Sequence, residues 1–378
     1  MSKTHIVLFT PFAPTQGGGG QNLRCALPYL KDIDVTWAYL SHQKVDFPNS
    51  IHIGKPLLDG GLLSSWSSFI RMSLNRHPAI SGISNKLLSL QADRIWTVAH
   101  YEALAVADAL IQKKADIHLS IHDDPPFALV GRSRRYGIFT GLCEAQFARV
   151  LRGAKTVDVT SHPMGERYLK RYGVKSVAYF PYLPALPSIS PPPNNSTLRI
   201  GFLGTLYTPR EAKVFANALA LLQKRTGTPV EWHFWGLGLR QQTWVQNLSV
   251  PTVLHSFMTE DKLPEALSPM HALYVNYPFD TQSRVFRQTS HPAKLSTYLK
   301  AQRPLFAHTP IPSSLADFVG STGTGLVCSS ENPTTVAQQL QLLLSTPIPA
   351  AQFAKAREEW YGEDNLERLR QALLGQMP

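Results

Sequence analysis

The sequence predicts an α/β protein of two domains, each a parallel sheet covered by helices on both faces. Three observations predict it. Short apolar runs recur along all 378 residues, separated by stretches long enough for crossover helices. A break with five prolines, Tyr182 to Thr197, divides the chain into halves of ordinary domain size. The second half then restarts with an apolar strand pattern running into glycine, as the first half does.

In the first half, His5–Phe9 reads as a buried strand. A loop carrying Gly17–Gly20 follows, then a helix from Gln21 to Lys31 and a strand over Val35–Leu40. Arg94–Val98, Asp116–Ile121, Thr156–Thr160 and Ser176–Phe180 are the further strands. The second half gives strands at Leu198–Leu203, Val230–Trp235, Thr252–His255, Ala272–Asn276, Leu305–His308 and Gly325–Cys328. The last 26 residues, with Phe353, Trp360, Leu366, Leu369 and Leu373, read as helical.

Composition narrows the classes. With 43% hydrophobic and 17% charged residues the chain is globular, and no run of 18 apolar residues predicts a membrane span. Pro11 and Pro14 break the N-terminal apolar run, which reads as a strand rather than a signal peptide. Cys25, Cys143 and Cys328 lie too far apart for a disulfide framework, so a reducing cytoplasm is expected. No H-E-x-x-H or C-x-x-C occurs, and no metal is expected. The net charge is +11. Residues 1–190 hold 21 Lys+Arg against 13 Asp+Glu, and residues 191–378 hold 16 against 13. Such an excess suits an anionic partner, although it also serves plain solubility. No helix-turn-helix, finger or RNA-binding signature accompanies it, so no nucleic acid is expected.

Several segments can carry chemistry. His291-Pro-Ala-Lys294-Leu295-Ser-Thr297-Tyr298 sets a lysine at a helix start, where unpaired N–H groups and the dipole favour an anion; Arg303-Pro304 then leads into a strand. The Gly17–Gly20 run, with Gly18 and Gly19 at its middle, permits close backbone approach, although a flexible loop reads the same way. His122-Asp123 ends one strand and His100 ends another, where open α/β sheets bind ligands; capping or core roles are the alternative. Gly204-Thr205 ends the first strand of the second half, and Arg210 and Lys213 follow on a helix that is otherwise an ordinary solvated face. Phe257 and Met258 follow the strand at His255, with core packing the alternative for Phe257. Leu62–His77 forms an amphipathic helix, with Leu62, Trp66, Phe69, Ile70 and Leu74 on one face and Arg71 and Arg76 beside it. Arg132, Arg134 and Arg135 form a second basic cluster. An apolar wedge with a basic flank touches anionic lipid, and packing on the protein's own sheet is the competing reading.

Taken together, these segments resemble the large family of retaining GT-B glycosyltransferases. The likeness is specific from Leu198 to Cys328, where residues 291–308 resemble the pattern P-S-K-hydrophobic-x-E-Y-hydrophobic-A-x-G-x-P, and looser before Ser161. The resemblance implies two Rossmann-like domains facing a cleft. It implies an acceptor domain over 1–183, a linker over 184–197 and a donor-nucleotide domain over 198–352. A C-terminal helix over 353–378 would return to the first domain. It implies that His122 and Asp123 lie near the transferred sugar, with His100 as a second candidate, and that Gly18 and Gly19 face the cleft. Arg210 and Lys213 would hold the donor diphosphate beside Gly204 and Thr205, Phe257 and Met258 would meet the base, and Lys294, Leu295 and Thr297 would line the donor site. The donor would be a nucleotide-diphosphate sugar, with no metal or other cofactor, and the acceptor a glycan or lipid-linked hydroxyl reached with retention. The family's two glutamates fall here at Thr289 and Thr297, and its glycine at Arg303. Arg287, with Arg284, would face an acidic sugar or phosphate near Thr289. The rivals are a sugar epimerase or phosphorylase on the same plan, and a binding protein derived from the fold that has lost turnover.

Overall fold

The computed structural model describes residues 3–58, 61–190 and 197–376, so part of the proline-rich break lies outside the described residues. The chain forms two compact units. The first comprises Met1–Tyr182, Gln282–His291 and Glu363–Pro378; the second comprises Leu183–Thr281 and Pro292–Gly362.

In the first unit, strands β1 (Thr4–Thr10), β2 (Ile33–Leu40), β3 (Ser50–Gly54), β4 (Arg94–Val98), β5 (Ile117–Ile121), β6 (Thr156–Val159) and β7 (Val177–Ala178) form one sheet in the order β3-β2-β1-β4-β5-β6-β7. Every pair is parallel. Side chains alternate across a strand, so β1 feeds two cores. Val7 and Phe9 join Ile83 and Leu87 of the helix Pro78–Leu88 and Val106 and Leu110 of the helix Glu102–Gln112. Ile6 and Leu8 join Leu23 of the helix Gly17–Ala26 and Leu369 and Leu373 of the helix Glu363–Leu373. Both faces are therefore apolar, which is why these strands read as unbroken hydrophobic runs.

In the second unit, strands β8 (Leu198–Leu203), β9 (Val230–Trp235), β10 (Thr252–Leu254), β11 (Ala272–Asn276), β12 (Leu305–His308) and β13 (Gly325–Cys328) form a sheet in the order β10-β9-β8-β11-β12-β13, again parallel throughout. One face packs Phe202, Trp232, Phe234 and Tyr274 against Phe215 and Leu219 of the helix Pro209–Thr226 and Leu340 of the helix Pro333–Ser345. The ladder between β8 and β11 registers only at Ala272↔Ile200 and Leu273↔Gly201. Beyond it the strands part, and the Tyr298 hydroxyl fills the gap: it accepts from Leu203 N–H at 2.9 Å and donates to the Tyr274 carbonyl at 3.0 Å. Tyr298→Phe strands the buried Tyr274 carbonyl and the half-buried Leu203 N–H. We expect a loss of about 2–4 kcal/mol in denaturant unfolding; an unchanged midpoint would show that the hydroxyl is not the tie.

The structure corrects three sequence expectations. The glycine run is not a loop, because Gly17–Ala26 is helical and the helix gives way before Pro28 to a tighter turn over Leu27–Tyr29. The helix expected over Leu62–His77 ends at Ser73, and Asn75 takes a φ of 58° after it. Of the two readings of its aromatic side the structure shows packing on the protein itself: buried Phe69 stacks on Tyr136 at 4.9 Å, and half-buried Trp66 meets Phe139 edge-on at 5.6 Å while its Nε1 donates to the Arg135 carbonyl. The C-terminal stretch is two helices, Ala350–Tyr361 and Glu363–Leu373. The left-handed residue that closes the helix Lys294–Ala301 is Gln302, at φ 49°, and the buried Arg303 after it donates to the carbonyls of Ser268, Gln302 and Ser190. The half-exposed edge strand β3 has no apolar run to mark it in the sequence.

Candidate functional site

Open parallel sheets bind ligands beyond the carboxyl ends of their strands, where the strand order reverses. That point lies between β1 and β4 in the first unit and between β8 and β11 in the second. Each unit has a cluster of polar side chains from the segments that follow these strands.

In the second unit, β8 runs into Gly204 at φ 85°, and β9 into Gly236 at φ 71°, both in the left-handed region that favours glycine. A side chain on Gly204 would stand 3.8 Å from Lys294 Nζ. That ammonium is buried, 4.1 Å from the centre of the Phe202 ring and 5.7 Å from that of Tyr207, with no hydrogen-bond partner among the described residues. Burial pushes its pKa down from 10.5 to about 7. No side chain caps the helix that Lys294 begins. Three more polar side chains at these strand ends are buried without partners among the described residues: Thr208 Oγ1, Trp235 Nε1 and both amide atoms of Asn276. Gln241 clamps the loop after Gly204, its amide accepting from Leu206 N–H and donating to the Leu206 carbonyl.

The other residues expected at a donor site differ in exposure and pairing. Arg210 is exposed and paired with Glu331, Nε to Oε1 at 2.6 Å, and Lys213 is exposed. Between them, Glu211 is buried; its carboxylate accepts from Phe279 N–H, and burial raises its pKa. Thr205 is exposed and Met258 half-buried. Phe257 is 86% exposed, which removes core packing as its role. Leu295 is wholly buried and its N–H is taken by the Pro292 carbonyl, while Thr297 is buried.

In the first unit, the carboxyl ends of β1, β4, β5 and β6 bring together Gly19, His100, His122, Asp123 and Ser161. A side chain on Gly19 would stand 3.0 Å from His122 Nδ1, so the glycine helix makes room for that ring; Gly18 lies in the same helical turn. Thr160 Oγ1 donates to the His122 carbonyl at 2.9 Å and fixes its backbone. Burial lowers the pKa of His122 and takes that of His100 to about 4, with Asp123 opposing the shift at both rings. Both rings are therefore neutral at pH 7. Tyr101, next to His100, is held at φ 37° and ψ −108°, a sparsely populated conformation of the kind stored at functional sites.

The segment Gln282–His291 also belongs to this unit. Arg132 lies 4.1 Å over the Phe286 ring, Ser161 Oγ donates to the Thr289 carbonyl, and Ser290 Oγ donates to Asp123 Oδ1 at 2.5 Å. Thr289 turns its hydroxyl back to the Val285 carbonyl of its own helix, on which Arg287 is half-buried. Sequence reasoning missed Ser290 and Tyr101. A lone serine carries no motif, and a strained tyrosine shows only in its dihedrals.

A further polar set, His118, Asp158, Ser120 and Thr156, resembles a catalytic triad in composition. His118 Nε2 meets Asp158 Oδ1 at 2.7 Å, and its Nδ1 meets Thr156 Oγ1 at 2.8 Å. All four are at most 2% exposed, within the sheet, where no substrate reaches them.

No family model and no curated protein matches the sequence. Solved structures do match in fold. The trehalose-6-phosphate structure from E. coli bound with UDP-2-fluoro glucose superposes at TM-score 0.64 with 13% identity, over 99% of this chain and 97% of that one. The apo lipopolysaccharide outer core galactosyltransferase WaaB superposes at TM-score 0.65 with 12% identity, over 98% and 99%. S. aureus TarM in complex with fondaparinux, alpha-GlcNAc-glycerol and UDP superposes at 0.63 with 11% identity, over 99% and 100%. At such identities the likeness is one of fold: two parallel-sheet α/β domains of the GT-B type.

Proposed function

We propose that this chain, GT-B in fold, is a glycosyltransferase that moves a sugar from a nucleoside-diphosphate donor to an acceptor hydroxyl. The observation that carries the proposal is the buried Lys294 ammonium, without a hydrogen-bond partner among the described residues, beside Gly204 and at an uncapped helix start. A buried cation without a counter-ion is costly, and an anionic ligand offsets that cost. The diphosphate is that ligand. As the bond from sugar C1 to the diphosphate oxygen breaks, negative charge grows on the leaving group, and a fixed cation stabilises it. Arg210, once released from Glu331, and Lys213 are secondary contacts, with Thr205, Phe257 and Met258 toward the nucleoside. In the first unit, neutral His122 hydrogen-bonds a hydroxyl of the transferred sugar. The acceptor oxygen forms the new bond to C1, its proton passes to the leaving phosphate oxygen, and the configuration is retained. No carboxylate pair of the glycosidase kind is required.

Support comes also from the neighbours, one described as a galactosyltransferase and another solved with UDP. Calorimetric titration with a panel of nucleoside diphosphates and their sugars tests the reading. One nucleotide binding, and its sugar then turning over with an acceptor, supports it; no binding by any of them contradicts it. Thr289 favours a second reading, because its hydroxyl is spent on its own helix where the family has a glutamate. On that reading nucleotide binds without turnover, and the same panel followed by a turnover assay separates the two.

We also propose that the acceptor is met at an anionic lipid surface on the cytoplasmic side. No helix among the described residues is long and apolar enough to cross a membrane. Leu62, Leu63 and Ile138 are 51%, 78% and 72% exposed, on segments joined by the Arg135 guanidinium, which donates to the Gly61 carbonyl. Residues 61–77 and 129–142 carry five arginines and no carboxylate. We expect Leu63→Ser/Ile138→Ser to lower co-sedimentation with vesicles containing phosphatidylglycerol at least fivefold. Equal sedimentation of the variant and wild type would contradict the surface.

A further inference from the structure

The first unit's histidine cluster is completed by a residue from far along the chain. Ser290 Oγ lies 2.5 Å from Asp123 Oδ1, a contact spanning 167 positions. The segment bearing it is seated at several points: Arg132 lies over Phe286, Ser161 Oγ donates to the Thr289 carbonyl, and the His291 ring packs edge-on to Phe180 at 4.9 Å. Asp123 is fixed from the other side by its neighbours in sequence. The His122 carbonyl is held by Thr160, and Asp124, wholly buried, accepts from Phe127 N–H at 2.8 Å and from the Tyr168 hydroxyl at 3.2 Å.

We propose that Ser290 is a positioning residue for the His122 site, acting through Asp123. Its hydroxyl proton points at one carboxylate oxygen and fixes the plane of that carboxylate. The charge of Asp123 bears on both imidazoles, raising the pKa of each against burial; His122 adds to the lowering at His100, and Asp158 adds to the raising at His122. Burial keeps the rings neutral, and Ser290 holds the carboxylate in one orientation. Released, it turns toward them and stabilises an imidazolium. The proposal rests on the reading of His122 as the group that meets the transferred sugar, but its first test does not.

The first test is an NMR titration of the two imidazoles in wild type, Ser290→Ala and Ser290→Thr. In Ser290→Ala at least one of His122 and His100 should titrate about half a unit or more above its wild-type midpoint, and Ser290→Thr should restore it. Coincident midpoints in all three proteins, each folded by thermal melt, would overturn the proposal whether or not the chain is a transferase. The second test is turnover with the nucleotide sugar found by titration. Ser290→Ala should lower kcat about tenfold with donor affinity unchanged, and the acid limb of kcat/KM should move to higher pH. An unmoved acid limb together with an unchanged kcat would show that Ser290 merely seats its segment. Shifted imidazoles in a protein that binds no nucleotide would keep the positioning role and reject the transferase reading.

Discussion

Lys294→Met should abolish nucleoside-diphosphate binding and, at the same time, stabilise the protein. The Lys294 ammonium is buried against Phe202 and Tyr207 with no hydrogen-bond partner among the described residues. Replacing an unpaired buried cation by an apolar chain of similar length removes a desolvation penalty, and such exchanges stabilise by about 1–4 kcal/mol. The sign of the pH dependence follows from the same group. Its pKa falls from 10.5 to about 7 on folding, so between those values the unfolded chain holds a proton that the folded one has lost. Wild-type stability therefore rises with pH across that window, and the penalty is largest below pH 7. Lys294→Met loses this slope, so its gain in melting temperature should be larger at pH 6.5 than at pH 10. A lower melting temperature in the variant, with nucleotide binding intact, would show that the lysine is structural.

His122→Ala should leave donor binding within about threefold of wild type and reduce turnover by about 100-fold or more, the usual effect of losing one preorganised hydrogen-bond group. The two effects separate because Lys294 and His122 lie in different units. Gly19→Val gives an independent check. Its Cβ would stand 3.0 Å from His122 Nδ1, so the ring must shift while keeping its chemistry. We expect turnover to fall about tenfold in that variant, again with little change in donor affinity. Equal turnover in wild type and His122→Ala would remove the histidine from the site.

Much of the fold was legible because parallel strands buried on both faces announce themselves as apolar runs. The strands of the second unit were all anticipated, whereas β3, a half-exposed edge strand, left no such trace. Lys294 was legible for a local reason: a lysine behind a proline at a helix start is a sequence pattern with a physical meaning. What stayed hidden depends on partners distant in sequence. Glycines at 17–20 suggest a loop, yet they form a helical turn whose bare surface accommodates the His122 ring. Trp66 and Phe69 make a plausible membrane face until Tyr136 and Phe139 are seen to cover them, leaving Leu62 and Leu63 outside. Arg210 and Lys213 carry the right charge in the right segment. Only the structure shows one engaged by Glu331 and both exposed, while Lys294 is the cation that is buried. Thr289 and Ser290 are adjacent and chemically alike, but one hydroxyl serves its own helix and the other reaches Asp123.

The most direct measurement of the donor-site assignment is proton linkage on binding. With a pKa near 7, Lys294 is mostly neutral at pH 8, and a diphosphate beside it must bring a proton with it. Calorimetric titration of wild type at pH 8 with the best-binding nucleoside diphosphate, in two buffers of different ionisation enthalpy, should show uptake of close to one proton per ligand; Lys294→Met should not bind. Tight binding without proton uptake, retained in Lys294→Met, would place the nucleotide elsewhere and contradict the account.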